Sequence, residues 1–181
     1  MIQGEKVYLK LMEEADVVKR AEWINDPEIQ KTLNYDVPTS VSKTRAWFHH
    51  MQMDATRREF SIFDAANDEY IGFCGLFHIE VPAMKAEIHC VIGEKSHQGQ
   101  GFGTESWKLL TDYGFMELGL NRIYAHQLVH NIASQRLTEK LCWTREGLLR
   151  KDLYSHGSLK DRYLTAILRE DWLKERQSLG Q

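Results

Sequence analysis

Gln98-Gly99-Gln100-Gly101-Phe102-Gly103-Thr104 is the stretch on which the reading of this chain turns. It follows an alternating apolar run, residues 86–92, and opens a long helical pattern that lasts to about Leu118. Glycines let successive backbone N–H groups converge where a Cβ would stand in the way, and the start of a helix adds partial positive charge. Together these make a seat for a pyrophosphate. The same residues also suit a tight strand–helix turn that binds nothing, and the loop alone does not separate the two. Two other phosphate loops do not fit. A dinucleotide fingerprint needs G-x-G-x-x-G in a parallel unit with an acid about 20 residues later, where this chain has Asn121-Arg122. A P-loop needs a Lys after its last glycine, and none follows here.

Outward from the loop, the periodicity alternates between helix and strand. Residues 5–12 place Val7, Leu9 and Leu11 on one side and read as a strand; residues 13–24 carry Ala15, Val18, Ala21 and Ile24 at helical spacing. Residues 25–39 read as loop, after which Ser42 is expected to cap a helix holding Trp47, Phe48 and Met51. Strands follow over residues 60–63, 70–79 and 86–92, with turns at Ala66-Asn67-Asp68 and Pro82-Ala83. Beyond the long helix come a strand at 122–129, a helix at 131–141, a hairpin of 143–154 with 159–168, and a loosely held helix at 170–177. This order predicts an α/β (α+β) fold around one sheet, as a single domain over residues 1–181.

Bulk properties narrow the function classes. A net charge of −3 with acids and bases interspersed gives no basic surface for nucleic acid. No apolar run reaches the roughly 20 residues of a membrane span, and the N-terminus lacks a signal-peptide pattern, so the cytoplasm is expected. Cys74, Cys90 and Cys142 lie far apart in apolar segments, as buried small hydrophobes do. Eight histidines include no H-E-x-x-H, and no Cys/His cluster stands out, so no metal site is expected. No G-x-S-x-G elbow supports hydrolysis.

Gln98, Gly101 and Gly103 meet the [Q/R]-x-x-G-x-[G/A] pyrophosphate loop of the GNAT superfamily, and the chain resembles that superfamily over nearly its whole length. It is similar to the branch of ribosomal-protein N-terminal and spermidine-type acetyltransferases. The matching landmarks are Trp23-Ile24-Asn25-Asp26-Pro27-Glu28-Ile29, Tyr70-Ile71-Gly72, Ala86-Glu87-Ile88 and Gly101-Phe102-Gly103-Thr104-Glu105. Later in the chain come Leu120-Asn121-Arg122-Ile123, Asn131-Ile132-Ala133-Ser134, Glu139-Lys140-Leu141 and Glu146-Gly147-Leu148-Leu149-Arg150. The resemblance implies a mostly antiparallel sheet with splayed strands, acetyl-CoA as co-substrate, and an amine acceptor. That acceptor is a small molecule (a polyamine, aminoglycoside or amino sugar) or a protein N-terminus. It further implies pantetheine contacts at Cys90, Val91 and Ile92, pyrophosphate contacts at Gln98, Gly99, Gln100, Gly101, Phe102, Gly103 and Thr104, and cofactor contacts at Asn131 and Ser134. Homodimers occur among such relatives.

An alkylammonium must lose a proton before it attacks a thioester. Glu87, on the strand leading to the loop, is the expected base, with His89 on the same face as a relay. The competing reading leaves Glu87 facing solvent or Lys85. The Val91 N–H is expected to polarise the thioester carbonyl. Relatives often carry a Tyr proton donor where this chain has Thr138, so Ser134 becomes the candidate acid, though a helix-capping role suits it as well. Thr138 also keeps open a non-catalytic acyl-CoA-binding module with the same fold. Cys142-Trp143 stands where relatives have Gly-Phe, which predicts a different helix exit. Glu28, Tyr35, Asp36 and Tyr154 are further acceptor-contact candidates.

Overall fold

The computed structural model describes residues 1–33, 35 and 37–178; Asp36, one of the acceptor-contact candidates, lies outside them. Among the described residues, eight strands form one sheet: β1 (Ile2–Gln3), β2 (Val7–Leu11), β3 (Arg58–Asp64), β4 (Tyr70–Glu80), β5 (Lys85–Ile92), β6 (Arg122–Leu128), β7 (Thr144–Ser155) and β8 (Ser158–Leu168). Their order is β1-β2-β3-β4-β5-β6-β8-β7. The resolved pairings are antiparallel except β5 with β6, which run parallel. The α+β class and mixed, mostly antiparallel sheet are those expected. Six helices accompany them: α1 (Val17–Asn25), α2 (Pro27–Gln30), α3 (Val41–Gln52), α4 (Phe102–Met116), α5 (Ile132–Lys140) and α6 (Arg169–Ser178). No helix among the described residues is long and apolar enough to cross a membrane.

The chain packs as two compact units, residues 1–77 with 89–110, and residues 78–88 with 111–181. In the first, β2 to β4 are buried on both faces: Val7, Leu9 and Ile62 lie fully buried on one side, and Phe73 on the other joins Trp23, Ile24, Phe48 and Met51 in an apolar cluster. Trp47 packs against its rim, so Trp47 and Phe48 belong to the core. Three local expectations shift. Residues 14–16 wind as a 3₁₀ turn before α1, which changes the helical phase and leaves Val18 exposed. The stretch read as loop contains α2, started by Pro27 and capped by Asp26, whose Oδ1 accepts from Glu28 N at 2.8 Å. Ser40, not Ser42, caps α3. Ser40 has the extended backbone a cap needs, and its Oγ accepts from Lys43 N at 3.0 Å.

In the second unit, Phe115, Leu120, Ile123, Ala125 and Ile167 form the buried interior. The β7–β8 hairpin closes on His156 and Gly157, both at positive φ, as a two-residue hairpin loop requires. Contrary to expectation, α6 is firmly held. Trp172 is buried, its Nε1 donates to Asp112 Oδ1 at 2.7 Å, and Arg176 donates to the same oxygen at 2.8 Å. The exit of α5 is also a correction. Cys142 adopts φ +59, Trp143 N donates to Thr138 O, and Cys142 N donates to Glu139 O. This is the left-handed helix stop that glycine normally provides, built here on a cysteine.

Candidate active site

The glycine loop belongs to the first unit. Gly99 and Gly101 have φ of +74° and +94°; a Cβ on Gly99 would meet nothing within 4 Å, and one on Gly101 only Lys6 Nζ at 3.6 Å. Glu105 is the first residue of the stretch whose N–H closes a turn, onto Gly101 O. The N–H groups of residues 99–104 find no acceptor among the described residues. Unspent donors beside open space at the start of a helix make an anion seat. Its frame is tied down on each side. Gln98 Nε2 donates to Ile92 O at 2.8 Å, Lys6 Nζ donates to Gln100 O at 3.1 Å, and the Glu105 carboxylate accepts from the N–H groups of Glu5 and Lys6. Ile92 O is therefore taken by the protein, while Gly93 N and Glu94 N both donate to Ile71 O. Gly72 is glycine of necessity, since a Cβ there would lie 2.2 Å from Val91 O. Cys90 is half-buried, and desolvation pushes its thiol up to about 12.

The same unit holds a charged group that the sequence reading missed. Glu59 is fully buried; its Oε1 meets His89 Nε2 at 3.0 Å and Arg57 at 2.8 Å, and its Oε2 lies 3.7 Å from Arg20. Burial by itself would raise the Glu59 carboxyl, but His89, Arg20 and Arg57 overcome it and hold the group at about 2. The Arg20 guanidinium stacks over Phe73 at 3.9 Å and Trp47 at 4.3 Å, and its NH2 reaches Tyr35 OH at 3.5 Å. His89 is thus committed to Glu59, which removes it as the relay expected for Glu87.

In the second unit, parallel pairing of β5 with β6 spans only Lys85↔Arg122, Ala86↔Ile123 and Glu87↔Tyr124. Where it stops, Glu87 meets His126: Oε1 lies 2.8 Å from His126 Nδ1, and Oε2 lies 3.4 Å from His78 Nδ1. Burial favours a raised Glu87 pKa, yet the two histidines outweigh it and leave the carboxyl below its ordinary value. Lys85 pairs instead with Glu80 at 3.2 Å, so the reading of Glu87 as a partner of Lys85 falls away. Asn131 caps α5, its Oδ1 accepting from Ser134 N at 3.1 Å. Ser134 Oγ accepts from Gln127 Nε2 at 2.7 Å, and the same amide reaches Thr138 Oγ1 at 3.2 Å. Thr165 Oγ1 donates to Gln127 Oε1 at 3.2 Å, which closes a buried polar network. Thr138 is buried in that network. Among the other acceptor candidates, Glu28 pairs with Lys31 on the surface and Tyr154 is exposed.

A family model for the acetyltransferase (GNAT) domain matches residues 6–142. The chain belongs to the GNAT acetyltransferase family. This N-acetyltransferase is 34% identical to the uncharacterized N-acetyltransferase p20 of Bacillus licheniformis over 171 residues, 93% of this chain and 96% of that one. It is 31% identical to the spermidine N(1)-acetyltransferase of Vibrio cholerae over 120 residues, 66% of this chain and 68% of the other. The crystal structure of the Vibrio cholerae spermidine N-acetyltransferase in complex with CoA and spermine superposes with a TM-score of 0.88 at 25% identity, covering 94% of this chain and 99% of that one. The order of motifs that suggested the GNAT resemblance therefore led to the right family. His126, Glu59, Arg20 and Gln127 carried no such signal, because each gains its meaning only from a partner distant in sequence.

Proposed function

We propose that this acetyltransferase moves an acetyl group from acetyl-CoA to the nitrogen of a primary amine by direct attack. The observation that carries this reading is the row of N–H groups at residues 99–104 around two glycines whose Cβ positions are open. These donors suit the pyrophosphate of the co-substrate, with Lys6 adding a cation beside the loop. Cys90, Val91 and the N–H side of Ile92, whose carbonyl Gln98 already holds, are assigned to the pantetheine arm, the Val91 N–H acting as the donor to the thioester carbonyl. Asn131 and Ser134 are assigned to the same arm, Ser134 also as the proton donor to the departing thiol. Acetyl-CoA supplies an activated acyl group; the chain binds it, orients it and manages protons. The base function is assigned to the Glu87 site, where the carboxylate meets His126. A Cys90 acyl-enzyme is disfavoured, because a thiol near 12 carries almost no thiolate at neutral pH. The acceptor is a polyamine, another small amine or a protein N-terminus, with spermidine first to test given the relatives. Three unbridged cysteines suit a reducing compartment, the cytoplasm.

The test is thiol release from acetyl-CoA against polyamines, aminoglycosides, amino sugars and N-terminal peptides. Release with one class is the expected result. Acetyl-CoA binding without release on any acceptor overturns the reading in favour of a binding module, the alternative that Thr138 keeps in view.

A further inference from the structure

The contact between Glu87 and His126 assigns the proton transfer more closely. We infer that His126 Nε2 is the atom that takes the proton from the acceptor amine, and that Glu87 is the positioning residue behind it; this rests on the transfer activity proposed above. The geometry has three parts. His126 Nδ1 faces Glu87 Oε1 at 2.8 Å, so its hydrogen points at the carboxylate and the neutral ring carries its lone pair on Nε2. That Nε2 has no hydrogen-bond partner among the described residues, and the His126 side chain remains 20% exposed. Glu87, by contrast, is 12% exposed and has a histidine nitrogen against each oxygen. The carboxylate is thus spent on holding the ring, and the ring presents the open acceptor. The pair sits where β5 and β6 stop pairing after Glu87↔Tyr124.

The charged and titratable groups that surround the Glu87–His126 pair come from several strands. On β5 and β4 these are Glu87, Glu80 and His78, and on β6 the Tyr124 ring stands edge-on at 5.7 Å with Arg122 beyond it. On β8, Leu164 lies opposite His126, and the nearby Arg162 is neutralised by Asp152. Of the two protons a primary ammonium loses on becoming an amide, one passes to Nε2 and on to solvent, and the other leaves with the thiol. Nδ1–H stays with Glu87 throughout, so the carboxylate stabilises the imidazolium without being protonated.

The decisive variant is His126→Asn in the full chain. Its amide nitrogen replaces Nδ1 against Glu87 while Nε2 disappears; His126→Gln, which reaches the ε position instead, is the companion. Against alkylamines, His126→Asn should lower kcat/KM by roughly 10²–10³-fold and erase the acidic limb of the wild-type pH profile. Against hydroxylamine, already neutral at pH 7, the loss should be under about tenfold, and acetyl-CoA affinity by calorimetry should be unchanged. Active wild type together with an undiminished rate and unaltered pH profile in both variants overturns the assignment alone. A wild type that transfers to no amine overturns the functional reading and this assignment with it. A loss that is equal for alkylamines and hydroxylamine shows a structural role and likewise rejects His126 as base.

Discussion

Glu59→Gln keeps the shape of a fully buried side chain and removes its charge, leaving Arg20 without its counter-ion between Phe73 and Trp47. Two routes give the size of the effect. The carboxyl is held at about 2 against an ordinary 4.5. That difference of about 2.5 units, at about 1.4 kcal/mol each, is worth about 3 kcal/mol at neutral pH. Removing one partner of a buried ion pair costs about 3–5 kcal/mol by general experience. Both point to a melting temperature lower by roughly 6–12 °C for a chain of this size. The pH dependence has a definite sign. A depressed folded pKa means that this stabilisation is fully present above about 4.5 and is lost as the pH falls toward about 2. Urea titrations at pH 7 should therefore separate the variant from wild type by about 3 kcal/mol, and the gap should narrow in steps taken from pH 5 downward. Adding Arg20→Met to the variant should recover part of the loss, since the stranded cation goes with it. A Glu59→Gln protein within about 0.5 kcal/mol of wild type at pH 7 would refute the reasoning, as would a gap that does not change with pH.

Two further changes probe the loop and the exit of α5. Gly101→Glu puts a Cβ at a φ of +94° and a negative charge among the N–H groups of residues 99–104, so acetyl-CoA binding by calorimetry should fall by at least about 100-fold while the far-ultraviolet dichroism stays native. Cys142→Gly relieves a left-handed backbone at φ +59 and should raise stability in urea by about 0.5–1 kcal/mol, the benefit being partly offset by the greater freedom of glycine in the unfolded chain. A destabilised Cys142→Gly protein would show that the thiol's contact with Glu175 outweighs the strain.

What the sequence made legible follows from what is local in it. Strand alternation in β3 to β5 and the starts of helices α4 and α5 depend on neighbouring residues, and each appears where spacing placed it. Glu87 was singled out for its strand position, but its partner His126 lies 39 residues away on a strand that only the parallel pairing with β5 brings alongside. His89 looked like a relay because alternation gives it the same face as Glu87. Nothing local announces that Glu59, 30 residues earlier, claims its ring. The left-handed stop at Cys142 was illegible for the opposite reason. The backbone kept the conformation that glycine favours while the residue type changed, so the letter misreported the geometry. Helix α6 seemed loose because its polar sequence hides two anchors on Asp112, 60 and 64 residues upstream.

The network at Gln127 has a direction. With Thr165 donating to Oε1, the amide hydrogens point at Ser134 and Thr138, and the Ser134 hydroxyl keeps its own hydrogen to give away. Turn the amide over, and the frame closes again. Thr165 donates to Ala125 O at 3.4 Å and accepts from the amide, while Ser134 spends its hydrogen inward and shows a lone pair instead. The orientation of one buried amide therefore decides whether the Ser134 hydroxyl is left as a donor or as an acceptor toward any further partner.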